Sequence, residues 1–491
     1  MASKKKTVWI LGLAIAAPLA ALVVVVPMLI DLDRYRPMAI AYLERDTGKP
    51  VSIRRLQLTL FPVLSVRADD VVIGNPPGFP PGDFINAKRV YAELKAGELW
   101  HRRVVIASLV LDRPAIALLT DGHGHWNSQN RAGEEPVRRT ALVEAPEPFT
   151  LEAISKLEVR AARVTAARSL SSEAGGSAFF EASGVTGELE QVDLRALTTG
   201  APIRPTIGPG NAPRKPLLAS LDNALVGVAV AAPAPYDSGS PATTGELGAD
   251  TIRVGLVQTS HVQSKLRASS GEVLLEGLRF DAYDGHVDGA VTFDLRGASA
   301  RFRAGCQLSG LDMAKLVAAI PEGEGKITGK AEGNFNISGE VSSFEAALAS
   351  LVGTGQVTIR NGRLPTLRFD ENLIQLARVG GLGPGSRDPA AFSLFAADLN
   401  IAGERITSRK ITIVGNGITI EGAGTLDVAS ADSLNYRGTA KIAAKRNALT
   451  TVIAGLSGAT YAHGQLVFPF ALSGDVRNPR FVLTTAPAGK P

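Results

Sequence analysis

The residues best suited to chemistry lie in one short stretch, "DGHGHWN" at 121–127. Asp121, His123 and His125 occupy alternate positions, and two imidazoles at i and i+2 on a strand point to one face, where they can chelate zinc or copper. A catalytic metal site needs at least three protein ligands, and no convincing further ligand lies nearby in the sequence. Because the two intervening glycines favour a turn, we interpret the stretch as a polar turn and predict no metal site.

Other motifs give no better indication of chemistry. The stretch 281–289 holds Asp281, Asp284 and Asp288 around Gly285 but lacks the EF-hand spacing, so we predict a hairpin turn there. The sequence contains no GxSxG nucleophile elbow, no Walker A motif, no HExxH and no GxGxxG that follows a strand. We therefore predict no catalytic residue, no cofactor and no enzyme, with an enzyme of unrecognised type as the third alternative.

Composition and charge exclude several classes of protein. Of the 491 residues, 45% are hydrophobic and 20% charged, a balance that argues against a disordered chain. The formal net charge is +5, but Lys4, Lys5 and Lys6 supply three of these units, so we predict no nucleic-acid partner. The single cysteine, Cys306, excludes an intramolecular disulfide.

An uncharged apolar run, Val8 to Ile30, follows the amino-terminal lysines. At about 1.5 Å per residue a helix of this length reaches roughly 34 Å, enough to span a bilayer core of about 30 Å. The alternative is a cleaved signal peptide, whose apolar region is normally shorter. We predict a single-pass anchor. Lysines before it and Asp31 and Asp33 after it place the amino terminus in the cytoplasm and the bulk outside, in the periplasm of a two-membrane bacterium.

Helical periodicity recurs at a few short segments. Tyr35, Ala39, Tyr42 and Leu43 fall on one helical face, with Gly48 placed to end the helix. Later segments with one apolar stripe each are predicted to lie against a sheet or plug its ends: 313–320, which Asp312 caps, 344–351, 373–377 and 449–456.

Period-two alternation dominates the chain after residue 50 and predicts strands with one apolar face. Short turns such as 415–417 connect such strands and predict antiparallel meanders, while Pro469 indicates an edge or a bulge. If the apolar face lines an open groove, the candidate lining residues are Val291, Phe293, Leu295, Ile327, Ala331, Phe335, Ile337, Ile411, Ile413, Ile418, Ile420, Leu466, Phe468 and Phe470.

Stretches rich in Pro, Ala, Gly, Ser and Thr are predicted loops, at about 130–148, 199–216 and 231–248. They divide the chain into predicted blocks. These are the cytoplasmic tip and anchor (1–30), an amino-terminal helix and β block (31–130), a middle β block (131–310), a carboxy-terminal β block with amphipathic helices (311–485) and a tail (486–491).

The order of several motifs behind one anchor resembles the AsmA family of envelope proteins. The matching stretches at the amino end are "DLDRYRP" (31–37), "TGKPVSI" (47–53), "LTLFPVLSVRADDVVIGNPPGF" (58–79), "VYAELKAGELWHRRVVIASLVLDRPAIAL" (90–118) and the turn at 121–127, in which Trp126 precedes Asn127 where the family usually has the reverse order. Further on they are "LRFDAYDGHVDGAVTFDLRG" (278–297), "GTGQVTIRNGRL" (353–364), "ITIVGNGITIEGAGTLDV" (411–428) and "FPFALSGDVRNP" (468–479).

This resemblance implies a mainly β protein, tethered to the inner membrane, with a long curved antiparallel β-sheet groove similar to that of bridge-like lipid-transfer proteins. It implies phospholipids as ligands, a role in moving them toward the outer membrane or in outer-membrane assembly, and other envelope proteins as partners. It brings no catalytic residue. A closed β-sandwich uses the same alternation to bury its core, so a scaffolding protein that carries no lipid stays the alternative.

Overall fold

The structure is a computed structural model, and the part of the chain that it describes begins after the predicted anchor. Residues 8–30, the side chains of Asp121, His123 and His125, and the helix predicted at 373–377 lie outside the described residues. Among the described residues, no helix has the length and apolar character needed to cross a bilayer. The described residues are 32–60, 63–99, 105–120, 126–128, 154–168, 178–192, 243–269, 271–296, 300–319, 325, 327–341, 344–365, 388, 390–415, 417–428, 434–443, 448–475 and 478–484.

Within the described part of the chain, twenty strands form one open sheet, which confirms the prediction of a mainly β chain with a long, mostly antiparallel sheet. The strands of the first half are β1 (Val51–Thr59), β2 (Ser65–Gly74), β3 (Asp83–Leu94), β4 (Ile106–Thr120), β5 (Ile154–Arg168), β6 (Phe180–Val192), β7 (Thr243–Val254), β8 (Val257–Ser269), β9 (Glu272–Ala282) and β10 (Gly285–Asp294). Those of the second half are β11 (Ala300–Asp312), β12 (Thr328–Val341), β13 (Val352–Arg363), β14 (Ala391–Ala402), β15 (Arg405–Gly415), β16 (Ile418–Asp427), β17 (Leu434–Ala443), β18 (Thr460–Ala462), β19 (Gln465–Asp475) and β20 (Asn478–Leu483).

Sequence neighbours pair along almost the whole sheet, as in a meander. The predicted hairpins are confirmed: Tyr283 and Asp284, both with positive φ, join β9 to β10, and Gly415 of β15 pairs directly with Ile418 of β16. Pro469 of β19 lies between the segment that pairs with β18 and the one that pairs with β20, where its missing N–H costs no ladder bond on that side.

Two details differ from the sequence prediction. β4 and β5 pair in parallel, whereas the predicted meander has only antiparallel neighbours. In addition, the loop predicted at 231–248 is too long, since β7 already begins at Thr243 and its backbone pairs with both β6 and β8.

The helices are short and lie beside the sheet, as predicted. They are α1 (Arg36–Thr47), which follows a 3₁₀ turn (Leu32–Tyr35), α2 (Ala96–Leu99), α3 (Met313–Ala318), α4 (Phe344–Ser350) and α5 (Ala448–Ser457). Asp312 caps α3 by accepting the amide protons of Ala314 and Lys315, and Gly48 ends α1 with φ 65°. Both terminal signals predicted from the sequence are therefore confirmed.

Helix α1 covers the first end of the sheet. Ala39, Ile40 and Leu43 pack against the apolar side of β1 and β2, whereas Tyr35, predicted to share that face, is exposed. The same segment also satisfies backbone groups of β1, the first strand. Asp33 accepts the Leu56 amide proton at 3.1 Å, Glu44 accepts that of Val51 at 3.0 Å, and Arg36 donates to the Arg54 carbonyl at 2.6 Å. β1 is therefore a protected edge.

A line of left-handed residues crosses the first half of the sheet. We name it the bend line; its members lie at adjacent register positions in β2, β4, β5, β6 and β8, and they are Asp70, Arg113, Ala161, Gly184 and His261, all with φ between 48° and 62°. Such residues bend a strand and increase its twist. At the bend line the apolar side chains of one face change from odd to even residue numbers, as from Leu111 to Pro114 in β4.

The turn after β4 is closed by Asn127, which is fully buried. Its side-chain carbonyl accepts the Leu119 amide proton at 2.9 Å, and its amide group donates to the Ala117 carbonyl and to the Asn75 side chain, each at 2.8 Å. Trp126 bridges Thr120 and contacts the Phe179 ring edge-on, with 6.3 Å between the centroids. Trp126 therefore packs against a neighbouring ring, while Asn127 makes the specific hydrogen bonds.

Replacing Asn127 by alanine should destabilise this end of the sheet. The change removes the hydrogen-bond partner of the Leu119 amide, of the Ala117 carbonyl and of the Asn75 side chain. We expect the free energy of unfolding to fall by about 2–4 kcal/mol. Hydrogen–deuterium exchange should then be faster in β4 than in β12. Asn400→Ala, an exposed asparagine in β14, is the matched control and should leave both rates unchanged. Equal exchange in both variants would contradict a central role for Asn127.

Candidate functional site

One face of the sheet is apolar across its whole width, and we name it the apolar face. Directly paired residues share a face, so the strand register identifies its members. One row crosses β11 to β19 and contains Leu311, Ala331, Ile359, Phe395, Ile413, Ile420, Ala440 and Phe468. A row in the first half contains Leu56, Ala68, Val90, Leu111, Val159, Gly187, Leu247 and Ser264. A third row joins the halves through Gly245, Leu266, Leu275, Val291, Ala304 and Ile337.

The opposite face is polar and carries cross-strand ion pairs. Lys156 and Glu188 approach to 2.6 Å, and Lys441 and Glu421 approach to 2.5 Å. A cleft of about 820 Å³ on this face, between β5 and β9, is lined by charged side chains that include Lys265. Exposed ion pairs of this kind add little stability, but they mark the face as solvated.

Part of the apolar face is covered by the protein itself. We name this part the covered strip; its members are Val287, Leu311, Ala331, Ile359, Phe392, Ile413, Ile418, Ile420, Ala440, Ile442, Leu466, Phe468 and Phe470, all buried. Met313 of α3, Ala454 of α5 and Tyr461 of β18 pack against it. The covered strip therefore follows one end of the strands in β10–β19.

The rest of the same face in β10–β17 lies outside the buried cluster, and α4 meets it at the end of β12, where the Ser350 hydroxyl lies beside Gly339 and the Phe302 ring. We name this part the open strip; its members are Val291, Phe293, Phe302, Ala304, Phe335, Ile337, Leu399, Ile401, Ile406, Leu426 and Leu434. They are half-buried, because neighbouring side chains screen their flanks. Cross-strand pairs such as Phe293–Phe302 and Ile401–Ile406 place them side by side on the sheet.

The structure places all the predicted lining residues except Leu295 on or against one face, where they form three groups. Seven lie in the covered strip: Ala331, Ile413, Ile418, Ile420, Leu466, Phe468 and Phe470. Ile327 and Ile411 pack against it, and Val291, Phe293, Phe335 and Ile337 belong to the open strip. Leu295 lies just past the end of β10 and is 50% exposed. Contact of any of them with lipid stays a prediction.

Aromatic rings on this face lie over glycines of the neighbouring strand. Four direct cross-strand pairs have this arrangement: Phe302–Gly339, Phe335–Gly355, Phe392–Gly362 and Tyr436–Gly424. In each pair a ring atom takes the space that a β-carbon of the glycine would need, at 2.9 Å for Gly339 and 2.7 Å for Gly424. Rings that lie flat on the backbone shield it from solvent and protrude little from the sheet. No local sequence pattern indicates this pairing, because the ring and the glycine belong to different strands.

Two groups on the face that can ionise, the Cys306 thiol and the Tyr436 phenol, are partly buried. Burial raises the pKa of the Cys306 thiol, which lies beside Phe335 in the register, and it also raises the pKa of the Tyr436 phenol. Both groups are therefore neutral at physiological pH. Among the described residues no cluster of histidine, cysteine and carboxylate side chains could hold a metal ion.

The sequence as a whole matches a family model in two stretches. The model of the AsmA family covers residues 2–168 and 245–411, most of the chain. The chain belongs to the AsmA family. Proteins of the AsmA family are generally non-enzymatic, and the long open sheet fits an envelope role. No curated protein and no solved structure shows significant similarity to this chain.

Replacing Gly355 by alanine should lift the Phe335 ring off the sheet. The new methyl group overlaps the ring, and overpacking of this kind costs about 1–3 kcal/mol of stability. Thermal unfolding of the purified protein measures the loss. Gly97→Ala, at a site with no atom within 4 Å of the added carbon, is the control and should be neutral.

The same change made in a Phe335→Ala background tests the cause. Without the ring there is no overlap, so Gly355→Ala should cost clearly less there than in the wild type, which a double-mutant cycle detects. Equal costs in both backgrounds would show that the ring does not lie over Gly355.

Proposed function

We propose that this AsmA-family chain binds phospholipid acyl chains on its apolar face and contributes to lipid transport between the inner and outer membranes and to outer-membrane assembly. We propose further that residues 8–30 hold it in the inner membrane of a two-membrane bacterium, with the amino terminus in the cytoplasm and the sheet in the periplasm. Its partners are then phospholipids and other envelope proteins.

The observation that supports this proposal most directly is the open strip beside a polar opposite face. An apolar surface of this length is costly in water, and about 0.8 kcal/mol is gained for each lipid methylene that leaves water to cover it. Acyl chains would therefore replace the second layer that a sandwich has, while headgroups stay in solvent. With strands about 4.8 Å apart, nineteen side by side give a path of about 85 Å along the sheet.

The covered strip favours a second candidate, a scaffold whose sheet binds envelope proteins and carries no lipid. Half of the predicted lining residues fill the protein's own core, as they do in a closed domain. The two candidates differ in what touches Phe335 and its neighbours in the open strip. In the scaffold these side chains meet protein or water, whereas in the transport protein they meet hydrocarbon.

Phe335→Asp should leave the protein folded but reduce its lipid content. A charge on an uncovered strip stays solvated, so little stability is lost, whereas the same charge opposes an acyl chain that lies over it. The measurement is mass spectrometry of phospholipid that co-purifies with the full chain, together with its thermal unfolding. Asn336→Asp is the matched control, because this exposed neighbour lies on the polar face of the same strand.

The control should bind as much lipid as the wild type. A wild-type protein free of phospholipid would overturn the transport proposal in favour of the scaffold. Global unfolding of Phe335→Asp, with Asn336→Asp folded, would show that a second protein layer covers the open strip.

A further inference from the structure

Two hydroxyl groups meet on the otherwise apolar face near its carboxy-terminal end. Ser408 in β15 and Tyr436 in β17 both pair with Gly424 of β16, which lies between them. Because the Tyr436 ring lies over Gly424, its hydroxyl reaches across that strand to within 3.4 Å of the Ser408 hydroxyl. Ser408 is 1% exposed, so its hydroxyl is a buried part of the face and not an exposed surface group.

The surroundings of this pair are hydrocarbon. In the same register row Ser408 is followed on one side by Leu399, and Tyr436 is followed on the other side by Leu472. Farther along the strands lie Ile406 and Leu434 of the open strip. A lipid that covers the open strip would pass next to Tyr436 and would remove water from this partly exposed side chain, whereas Ser408 is already buried.

Hydrogen-bond counting then indicates what the lipid must supply. Each hydroxyl carries one proton, and a single bond between the two uses only one of them, so one proton is left to donate. The separation of 3.4 Å is also long for two hydroxyls, whose oxygens normally lie about 2.7–2.8 Å apart. A donor left without an acceptor in hydrocarbon is costly, so an acceptor in the lipid is favoured.

We propose that the Ser408–Tyr436 hydroxyl pair is a binding site for the ester carbonyl oxygen of a glycerolipid whose acyl chains lie on the open strip. This inference rests on the proposed function and adds a substrate class to it. Ester carbonyls are the acceptors nearest to the acyl chains, so the pair fixes how far the chains extend over the strip. The site selects ester-linked glycerolipids over ether-linked ones, which lack the carbonyl.

A competition between two lipids tests the site. The full chain in detergent is incubated with equal amounts of diacyl phosphatidylethanolamine and of a dialkyl ether analogue with the same chain length, and mass spectrometry measures the bound ratio. The loss of one neutral hydrogen bond corresponds to about a five-fold preference for the ester. The wild type should show this preference, and Tyr436→Phe, which keeps the ring over Gly424, should bind both lipids equally.

Two further variants keep the test decisive. Ser408→Ala should also reduce the preference for the ester-linked lipid. If Tyr436→Phe does not fold, Ser408→Ala takes its place in the test. Tyr91→Phe, on the polar face of β3, should retain the wild-type preference.

An unchanged preference in Tyr436→Phe and Ser408→Ala, or a wild type that binds both lipids equally, would overturn this site and leave the proposed function standing. A wild type that binds neither lipid would overturn the proposed function, and the site with it.

Discussion

The apolar face runs from the first strand of the sheet to the last, and exposing it to water is unfavourable. The positions of the helices and of several aromatic rings follow from the need to shield it. In a sandwich a second sheet provides the cover. Here the described helices are too short to do so. α1 covers the first two strands, and α3, α5 and β18 cover one end of the later strands. Between these parts aromatic rings lie flat over glycines of the neighbouring strand and shield the backbone from solvent.

The division of the apolar face into a covered and an open strip reconciles stability with access. Phe468, Ile413 and their neighbours form one buried cluster that packs the strands of the second half together. In the proposed function the open strip exchanges lipid while this cluster keeps the strands packed. The polar face contributes by staying solvated, since its charged residues pair across strands, as Lys156 does with Glu188.

Local signals made part of this architecture predictable. Asp312 and Gly48 were identified as helix ends because capping depends on a few adjacent residues. β10, β12 and β19 were identified because their apolar side chains keep one parity along the strand. In the first half the sequence predicted β blocks but no individual strands, because the bend line changes that parity midway, as at Arg113.

Other features depend on residues distant in sequence and were not predictable from one chain. Asn127 bonds to Asn75, and nothing local distinguishes it from an exposed asparagine. The parallel pairing of β4 with β5 joins strands that are separated by more than thirty residues, and no local pattern indicates its direction. Alternation identified Phe335 and Ile337 on the candidate face, but it could not separate them from Ile413 and Phe468, because the cover is provided by α5 and β18 from elsewhere in the sequence.

The protected first edge has a consequence for the dimensions of such a molecule. Because Asp33, Arg36 and Glu44 occupy backbone groups of β1, strands cannot be added in front of it without losing these bonds. A hairpin inserted within the meander disturbs neither end and lengthens the sheet by about 10 Å, twice the strand spacing. The number of hairpins therefore sets the length of the sheet measured across its strands.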